Sequence, residues 1–495
     1  MLAVTTLILR GGRVLDPESG FDGPADVRIR DGRVDAVGTI EDEEHAAVVD
    51  VTGLAVAPGF IDLHSHATSV AGQRLQACDG VTTAVELEGG AWPLADAYAR
   101  LDGMGMPINY GFSASWAVAR MAVVGGFDVT SSLSAFLRYI SQPEWQLPAT
   151  AEQQQALIDA LGVSLADGAL GIGLLLGYAP RIDPDEYLAV AALAANDNLP
   201  TFTHARELID VVPDMPIDGA SEIVRAATET GAHMHYCHVN STSGHNVDRV
   251  LGLVDKARAE GGTVTTEAYP YGAGSTGIGA FFLEPERLPR MGLTPQRIRY
   301  MPTGERVADE ARLRELRATD PGGLAIIEFF DEDDPAERAV LHRSLVFEDA
   351  IVASDAMPLT WMDGPPDDEA WPIPARAVTH PRSAGTFTRS LRVLTREHGF
   401  SLLDALRKMT LLPARVLEPA AETMQRKGRL CAGADADITV FDPDTITDQA
   451  TYDDSTRPST GIVHVLVGGE FVVRDGEVQL DARPGRAIRG AHRFG

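Results

Sequence analysis

The alternation of strand-like and helical segments through the middle of the chain narrows the possible folds more than any other feature. Between about residues 56 and 420, short apolar runs alternate with stretches whose apolar residues recur at helical spacing. The clearest strand-like runs are 81–88, 168–174, 200–204, 233–239, 263–269 and 350–355, and the clearest helical patterns are 153–165, 183–196, 219–230 and 246–260. Repeated strand–helix units predict a parallel sheet, and this many predict a closed (β/α)8 TIM-like barrel.

Both ends of the chain have a different pattern, in which short β-type runs are separated by glycine turns. Near the end of the chain, Gly468-Gly469 and Asp475-Gly476 are typical of hairpin turns. We therefore predict an α/β protein in which residues 1–57 and 421–495 together form a small β-sandwich domain and residues 58–420 form the barrel. Residues 281–343 break the strand–helix rhythm and predict an insertion of the kind that forms a lid.

The charge balance excludes some classes of partner. The chain has 42 basic and 71 acidic residues, a net charge of −29, which repels nucleic acid and anionic membranes. No apolar run reaches the roughly 18 residues of a membrane span. The three cysteines have no paired spacing, and residues 1–10 are typical of a first strand rather than an export signal. We expect a cytoplasmic protein that acts on a small molecule, with its oligomeric state, including a homo-oligomer, left open.

Ionisable residues fall at the ends of the predicted strands. His64 and His66 are at i and i+2 after an apolar strand, so they share one side of it. His204 and His238 end two later strands, and Asp355 ends a further one. In parallel barrels the catalytic groups project from these carboxyl ends, and buried ionisable groups are costly unless they are paired or bind metal. The pattern predicts a metal centre formed by these residues.

Five protein ligands exceed the four of a single tetrahedral zinc, which favours one or two divalent ions, with Zn²⁺ expected. Two ions usually need a bridging anion. The strand at 168–176 contains no lysine that could be carboxylated. The second strand offers Glu86 and Glu88; Glu88 is nearer the strand end and is the favoured ligand, with Glu86 as the alternative. His235, three residues before His238, is expected to face elsewhere and to support the site or pack in the core.

Several motifs resemble the amidohydrolase superfamily. They are Pro-Gly-Phe-Ile-Asp-Leu-His-Ser-His at 58–66, Gly-Val-Thr-Thr at 80–83, Thr-His at 203–204, Cys-His at 237–238, Ser-Asp at 354–355 and Gly-Ala-Asp-Ala-Asp-Ile-Thr-Val-Phe-Asp at 433–442. Two further segments, 268–276 and 380–387, are similar to the N-acyl-D-amino-acid deacylase (D-aminoacylase) branch. The motifs recur from about residue 5 to 475, so the resemblance covers nearly the whole chain.

The resemblance implies a function and a role for each ligand. It implies metal-dependent hydrolysis of the amide bond of N-acyl-D-amino acids, with an acidic, glutamate-like side chain as one option. His64 and His66, with Asp355 beside them, would hold the more buried ion, and His204 and His238 would hold the second. Asp355 would also act as general base and acid, taking a proton from the attacking water and giving it to the leaving amine.

The chain departs from this branch in two places. Where the branch has Gly-Asn-Cys-Gly with a bridging cysteine, residues 86–90 read Glu-Leu-Glu-Gly-Gly, which is similar to the D-glutamate deacylase-like sub-group. Where the branch has Ser-His-x-Lys, residues 237–240 read Cys-His-Val-Asn, without the lysine that helps to bind the substrate carboxylate. Arg382, Tyr271 and Ser275 resemble the carboxylate-binding set, since an arginine fork matches a carboxylate. Tyr178 and Arg206 are further candidates to contact the substrate.

Three alternatives remain at this stage. A cyclic-amide hydrolase of the hydantoinase or dihydroorotase type usually uses a carboxylated lysine, which the fourth strand lacks. A deaminase of the same superfamily usually has a glutamate shortly after the sixth-strand histidine, where residues 240–243 offer none. A non-catalytic metal-binding scaffold would lack the base, whereas Asp355 is present.

Overall fold

The computed structural model describes residues 6–130, 133–213 and 215–491. Within this part of the chain, eight parallel strands form a barrel in which spatial order follows chain order. With strands numbered along the chain, they are β6 (Phe60–Asp62), β7 (Val81–Ala91), β8 (Asn109–Ser115), β9 (Ile172–Leu175), β10 (Pro200–His204), β11 (His233–Tyr236), β12 (Val264–Ala268) and β17 (Ile351–Val352). A parallel bridge between Ser65 and Ala356 brings the first and last strands together. The predicted (β/α)8 barrel is confirmed.

The two ends of the chain share one nine-stranded sheet. Strand β5 pairs antiparallel with β20, with Ala55 opposite Phe441 and Pro58 opposite Ile438, and this pairing joins the N-terminal strands to the C-terminal ones. The sheet contains β1 (Leu7–Asp16), β2 (Phe21–Arg30), β3 (Arg33–Gly38), β4 (Ala47–Asp50), β5 (Ala55–Pro58), β20 (Ile438–Phe441), β21 (Ile462–Val467), β22 (Glu470–Arg474) and β23 (Glu477–Val478). It has its own apolar core, so the prediction of a small β domain built from both termini is confirmed. Of residues 1–10, which are predicted as a first strand, residues 1–5 lie outside the described part.

The helices that alternate with the barrel strands cover the outside of the barrel, and the insertion contributes α10. All the helices of the described residues follow. They are α1 (Val70–Ala77), α2 (Leu94–Met104), α3 (Trp116–Val123), α4 (Leu133–Tyr139), α5 (Ala151–Ala166), α6 (Pro184–Asn196), α7 (Gly219–Thr230), α8 (Val239–Ser243), α9 (Val247–Ala259), α10 (Glu310–Thr319), α11 (Pro335–Val346), α12 (Arg382–Arg392), α13 (Leu402–Arg407) and α14 (Leu411–Leu417). Local signals set their ends: the Asp218 carboxylate accepts from the Ser221 amide before α7, and Gly231 ends that helix with a positive φ. No helix of the described residues is long and apolar enough to cross a membrane.

The insertion differs from its predicted bounds of 281–343. A small antiparallel sheet begins earlier, with β13 (Ala273–Gly277), and continues through β14 (Ile298–Tyr300), β15 (Glu305–Arg306) and β16 (Leu324–Glu328). Helix α11 (Pro335–Val346) packs against β12 and α9 and so belongs to the barrel, not to the insertion. β13, Ala-Gly-Ser-Thr-Gly, is not recognisable as a strand from its own residues, and its pairing with β16 shows where the small sheet begins. A further two-stranded pair, β18 (Thr360–Trp361) and β19 (Ala377–Val378), follows the last barrel strand.

The end of the chain returns to the barrel instead of staying in the β domain. The Ile488 amide donates to the Tyr110 carbonyl at 2.7 Å, and the Gly490 amide donates to the Gly168 carbonyl at 2.8 Å. Residues 485–490, which fall within the predicted C-terminal part 421–495, lie along the barrel beside β8.

Candidate metal centre

The predicted ligands come together at the carboxyl ends of the barrel strands. His64 and His66 follow β6, Glu88 lies in β7, and the other three are at or after later strand ends: His204 on β10, His238 after β11 and Asp355 after β17. All six side chains are buried or nearly so, and His204 is the most accessible at 13%. Parallel strands place these ends on one face, as barrel geometry requires.

The Glu88 carboxylate lies at the middle of the four histidines. Its Oε1 atom is 3.0 Å from His204 Nδ1 and 2.7 Å from His238 Nε2. Its Oε2 atom is 3.2 Å from His64 Nε2 and 3.9 Å from His66 Nε2. Because each oxygen faces a different pair of histidines, the carboxylate has the position of a bridge between two cations.

A bulge in β7 brings Glu88 to this position. The register with β8 shifts between Glu86 and Ala91, so that β7 holds extra residues there. Gly90 has φ of 63°, and a Cβ at this position would lie 2.6 Å from Ser113 Oγ. A bulge re-aims the side chains around it, and only glycine fits this close approach. The close approach to Ser113 thus explains why a glycine occupies position 90 in the Gly-Gly pair after Glu88.

Two further carboxylates orient the first histidine pair. His64 Nδ1 lies 2.5 Å from Glu267 Oε1, and His66 Nδ1 lies 2.6 Å from Glu86 Oε2. In both rings the Nε2 atom is left to face the centre. Carboxylates that bond the far nitrogen of a metal-binding histidine fix its orientation and raise its basicity. Glu86 therefore lies behind His66, and Glu88 has the bridging position.

Two of the six residues have a left-handed backbone. His238 has φ of 30° and Asp355 has φ of 50°, both uncommon for residues other than glycine. The His238 amide donates to Glu267 Oε1 at 3.2 Å, which helps to hold the turn. Such conformations cost of order 1–3 kcal/mol and cluster at functional sites.

Asp355 faces both the histidines and an arginine. Its Oδ1 atom is 3.5 Å from His64 Nε2 and 3.4 Å from His66 Nε2, while Oδ2 is 2.8 Å from Arg382 Nη2. Arg382 Nε also donates to the Asp355 carbonyl at 2.6 Å. Burial raises the pKa of the carboxyl, but Arg382 and the histidines outweigh burial and lower that pKa below its usual value. Asp355 is therefore held as a carboxylate, which is the form that can accept a proton.

The donor set fits divalent metal. The ligand atoms of His64, His66 and Glu88, and likewise those of Glu88, His204 and His238, lie within 4.8 Å of one another. The buried His64 Nε2 atom has no hydrogen-bond partner among the described residues. Burial lowers the pKa of His64, but Glu88, Asp355 and nearby acids overcome it and raise that pKa well above 6.5. The buried carboxylates thus favour a cation at this position, and imidazole and carboxylate groups are common ligands of zinc-like ions.

The other predicted residues separate into those at the cavity in front of the centre and those away from it. Ser275 and Tyr178 line the cavity, and the Tyr178 ring centroid is 4.8 Å from that of His204. Tyr271 is buried behind it, against the guanidinium of Arg389, and does not line it. Arg206 reaches the wall, but its guanidinium is already paired with a carboxylate of α7.

Two residues of the site carried little signal in the sequence. Glu267 lies in β12 and orients His64 with one oxygen, while its other oxygen is 2.9 Å from His235 Nε2. His235 itself is fully buried, and its Nε2 atom faces this second oxygen of Glu267. Phe282, from the insertion, stacks on His204 at 5.8 Å between centroids. The inward position of Glu267 on a predicted strand was the one available hint.

A parallel barrel with four histidines and a bridging carboxylate at its strand ends defines the class of metal-dependent hydrolase barrels. Residues 47–473 match the model of the Amidohydrolase family, and the chain belongs to that family. The predicted membership is confirmed.

Similar proteins match over almost their whole length. The chain is 30% identical to the N-acyl-D-glutamate deacylase of Alcaligenes xylosoxydans xylosoxydans, over 98% of this chain and 96% of that protein. It is also 30% identical to the D-aminoacylase of the same organism, over 94% and 93%. The crystal structure of N-acyl-D-glutamate deacylase from Bordetella bronchiseptica, complexed with zinc and a phosphonate inhibitor, is similar with a TM-score of 0.75, at 27% identity over 98% and 100% of the chains. The predicted resemblance to the D-aminoacylase branch is confirmed.

Proposed function

We propose that the protein hydrolyses the amide bond of N-acyl-D-amino acids and releases a carboxylate and the free amino acid. The observation that carries this proposal is the position of Asp355, with one carboxylate oxygen toward His64 and His66 and the other on Arg382. The names of the similar deacylases support the substrate class. A proton-transfer group thus lies beside both the metal ligands and a cation that can orient an acid.

The metal is proposed to be zinc, in one or two ions per chain. His64, His66 and Asp355 would hold one ion, His204 and His238 the second, and Glu88 would lie between them. A divalent ion supplies Lewis-acid polarisation of the amide carbonyl and lowers the pKa of water. The zinc in the similar structure from Bordetella bronchiseptica supports this choice.

Asp355 moves the proton in the proposed reaction. Water adds to the amide carbon as Asp355 accepts one of its protons. The C–N bond then breaks, and Asp355 gives the proton to the leaving nitrogen, so that proton and charge balance. A carboxylate with a lowered pKa is ready as the base at neutral pH, and general acid–base catalysis contributes about 10²- to 10⁴-fold.

Arg382 and Ser275 are proposed to orient the substrate carboxylate. Arg382 Nη1 is buried without a hydrogen-bond partner in the described part of the chain, and it is 3.6 Å from where a Cβ on Gly274 would lie. Gly274 and Ser275 line the cavity. The guanidinium therefore retains a donor close to the cavity wall. Tyr271 and Arg206, whose side chains have other partners or lie behind the wall, are given no direct contact.

The remaining predictions belong to the same proposal. A cyclic-amide hydrolase that uses a carboxylated lysine is disfavoured, since the three lysines of the chain are Lys256, Lys408 and Lys427 and none lines the cavity. We further propose a cytoplasmic location, which the three free cysteines favour, and a small-molecule substrate without nucleic acid or membrane. A homo-oligomer stays a prediction.

The experiment is an assay of zinc-loaded protein with both enantiomers of several N-acetyl amino acids. Product from the D series alone is expected, and no hydrolysis of any of them would contradict the proposal. In Asp355→Asn, kcat is expected to fall by about 10³-fold with metal still bound, because the amide cannot accept the proton. Asp42→Asn, at a position 93% exposed in the β domain, is the matched control. A near-normal rate in Asp355→Asn would remove this residue as the base.

A further inference from the structure

The cavity in front of the metal centre has an apolar outer wall. Part of this wall comes from α4 and from the turn after β9, and the rest comes from the insertion. Its side chains are aromatic or aliphatic: Phe136, Tyr178, Phe282, Met291, Ile327 and Phe329. Any group of the substrate that lies against this wall exchanges water for apolar surface.

Three of these rings form a continuous contact that ends on a metal ligand. Phe136 packs edge-on against Tyr178 at 5.2 Å between centroids, and Tyr178 packs against Phe282 at 5.2 Å. Phe282 in turn stacks on His204 at 5.8 Å with the rings inclined by 16°. The Tyr178 hydroxyl is bonded to Thr276 Oγ1 at 2.7 Å, so the one polar atom of this set already has a partner. The wall therefore presents ring carbon to the substrate.

The one arginine that lines the cavity has its donors in use. Arg206 pairs with Glu222 through Nε at 2.9 Å and Nη2 at 2.8 Å, and its Nη1 donates to the carbonyls of Pro180 and Ile182. The side chain is fully buried, so this arrangement cannot turn outward without losing four hydrogen bonds. Arg206 is therefore not free to receive a substrate acid.

A second arginine close to the cavity lining is also neutralised. Arg287 bonds Glu207, which lines the cavity, at 2.9 Å, and approaches Glu284 at 3.3 Å. Arg382 keeps a buried guanidinium nitrogen, Nη1, without a hydrogen-bond partner among the described residues. Outside the metal centre, Arg382 is thus the cation with a donor for the substrate, whereas Arg206 and Arg287 are paired with carboxylates.

We infer that the enzyme takes substrates with a single carboxylate and an apolar side chain, namely N-acyl derivatives of aliphatic or aromatic D-amino acids rather than of D-glutamate or D-aspartate. The inference rests on the proposed function, in which Arg382 receives the α-carboxylate. A second carboxylate, on the side chain, would lie against the ring carbon of this wall without a cation of its own, since the α-carboxylate occupies Arg382 and the amide lies at the metal centre. Burying an unpaired charge is far more costly than burying a methylene group is favourable. The net charge of −29 also disfavours a dianion at long range.

The test compares kcat/KM of the zinc-loaded enzyme for the N-acetyl derivatives of D-leucine, D-phenylalanine, D-glutamine and D-glutamate. We expect D-leucine to exceed D-glutamate by at least about 100-fold. D-glutamine, which has the shape of glutamate without its charge, is expected to lie between them. An equal or higher value for D-glutamate would overturn the inference and leave the proposed function intact. Hydrolysis of none of the four would instead contradict the proposed function.

A variant pair tests whether the missing cation at the wall sets this preference. Met291 lines the cavity and is partly exposed, so a lysine there can be accommodated. In Met291→Lys, the ratio of kcat/KM for D-glutamate over D-leucine is expected to rise at least about 10-fold. Met291→Leu, which adds no charge, is expected to keep the wild-type ratio. With metal content equal in all three proteins, an unchanged ratio in Met291→Lys would contradict the role given to this wall.

Discussion

At the scale of single residues, the position of Glu88 decides how the two pairs of histidines are related. The sequence places Glu86 and Glu88 on the same side of a predicted strand, and it favours Glu88 only because that residue is nearer the strand end. The bulge in β7 separates their roles, so that Glu86 bonds His66 from behind and Glu88 faces all four histidines. A bulge depends on how a strand pairs with its neighbour, and this pairing cannot be predicted from the residues of one strand alone.

Glu88→Ala is expected to bind about one metal ion fewer per chain, because two cations held by the histidine pairs would repel each other without a carboxylate between them. Elemental analysis after equilibrium dialysis against zinc measures the stoichiometry. Glu86→Ala is the comparison: it should keep the number of ions and lose about 10- to 100-fold in affinity, since it only orients His66. If Glu88→Ala kept the full number of metal ions and Glu86→Ala lost one, Glu86 would be the bridging residue and Glu88 the orienting one.

At the scale of elements, the barrel helices were the easiest to predict and the insertion the hardest. The pattern at 219–230 coincides with α7, because its apolar spacing, its aspartate cap and its terminal glycine all agree. β8 was missed, since its residues, Asn-Tyr-Gly-Phe-Ser-Ala-Ser, include small and polar types with weak strand preference. Its burial between β7 and β9 determines its conformation, which is a tertiary effect.

Helix α11 carries a buried histidine that should make stability depend on pH. Burial lowers the pKa of His342 to about 4, and its Nδ1 atom is 3.0 Å from Nε2 of His398. In the unfolded chain a histidine titrates near 6.5. Because the folded pKa is lower, the unfolded chain binds the extra proton, and this contribution to stability is complete above pH 6.5 and is lost as the pH falls toward 4.

Between pH 7.5 and pH 4.5, the free energy of unfolding is therefore expected to fall less in His342→Gln than in the wild type. The two proteins are expected to differ by up to about 3 kcal/mol, at about 1.4 kcal/mol per pKa unit. Urea unfolding midpoints at the two pH values measure the difference. His245→Gln, at an exposed position, is the control and should follow the wild type. Equal losses in His342→Gln and the wild type would show that this histidine does not contribute to acid sensitivity.

At the scale of the whole molecule, the metal centre joins segments that are far apart in the chain. Its six residues lie between positions 64 and 355 and come from five barrel strands or the turns after them. In the unfolded chain these groups are not preassembled, so binding free energy adds to folding free energy. Metal binding and barrel closure are thus coupled.

Removal of metal by a chelator is expected to lower the thermal unfolding midpoint, and zinc should restore it. A ligand at 100 times its Kd stabilises by about 2.7 kcal/mol, which scanning calorimetry detects as a concentration-dependent shift. His64→Asn, which removes one ligand from the buried pair, should respond less to the same zinc concentrations. A midpoint that does not depend on metal in the wild type would contradict the assignment of the centre.

The sequence by itself determined the class of fold and the identity of the candidate ligands, because periodic patterns indicate the first and short local motifs indicate the second. Alternating strand and helix patterns predict the barrel, and histidines at apolar strand ends, such as His64, His66 and His204, are recognisable one strand at a time. It also determined that the chain ends make a common β domain, although the return of residues 485–490 to the barrel was not visible.

Only the tertiary structure decided which of these groups meet and which are already occupied. Arg206 and Arg382 look alike in sequence as cations near ligand positions, yet Arg206 is paired with Glu222 and Arg382 retains a free donor. The apolar wall has contributions from Phe136 and Phe282, residues far apart in the chain. The reason is physical: coordination, charge pairing and desolvation depend on distances between atoms of different segments, and those distances exist only once the chain has folded.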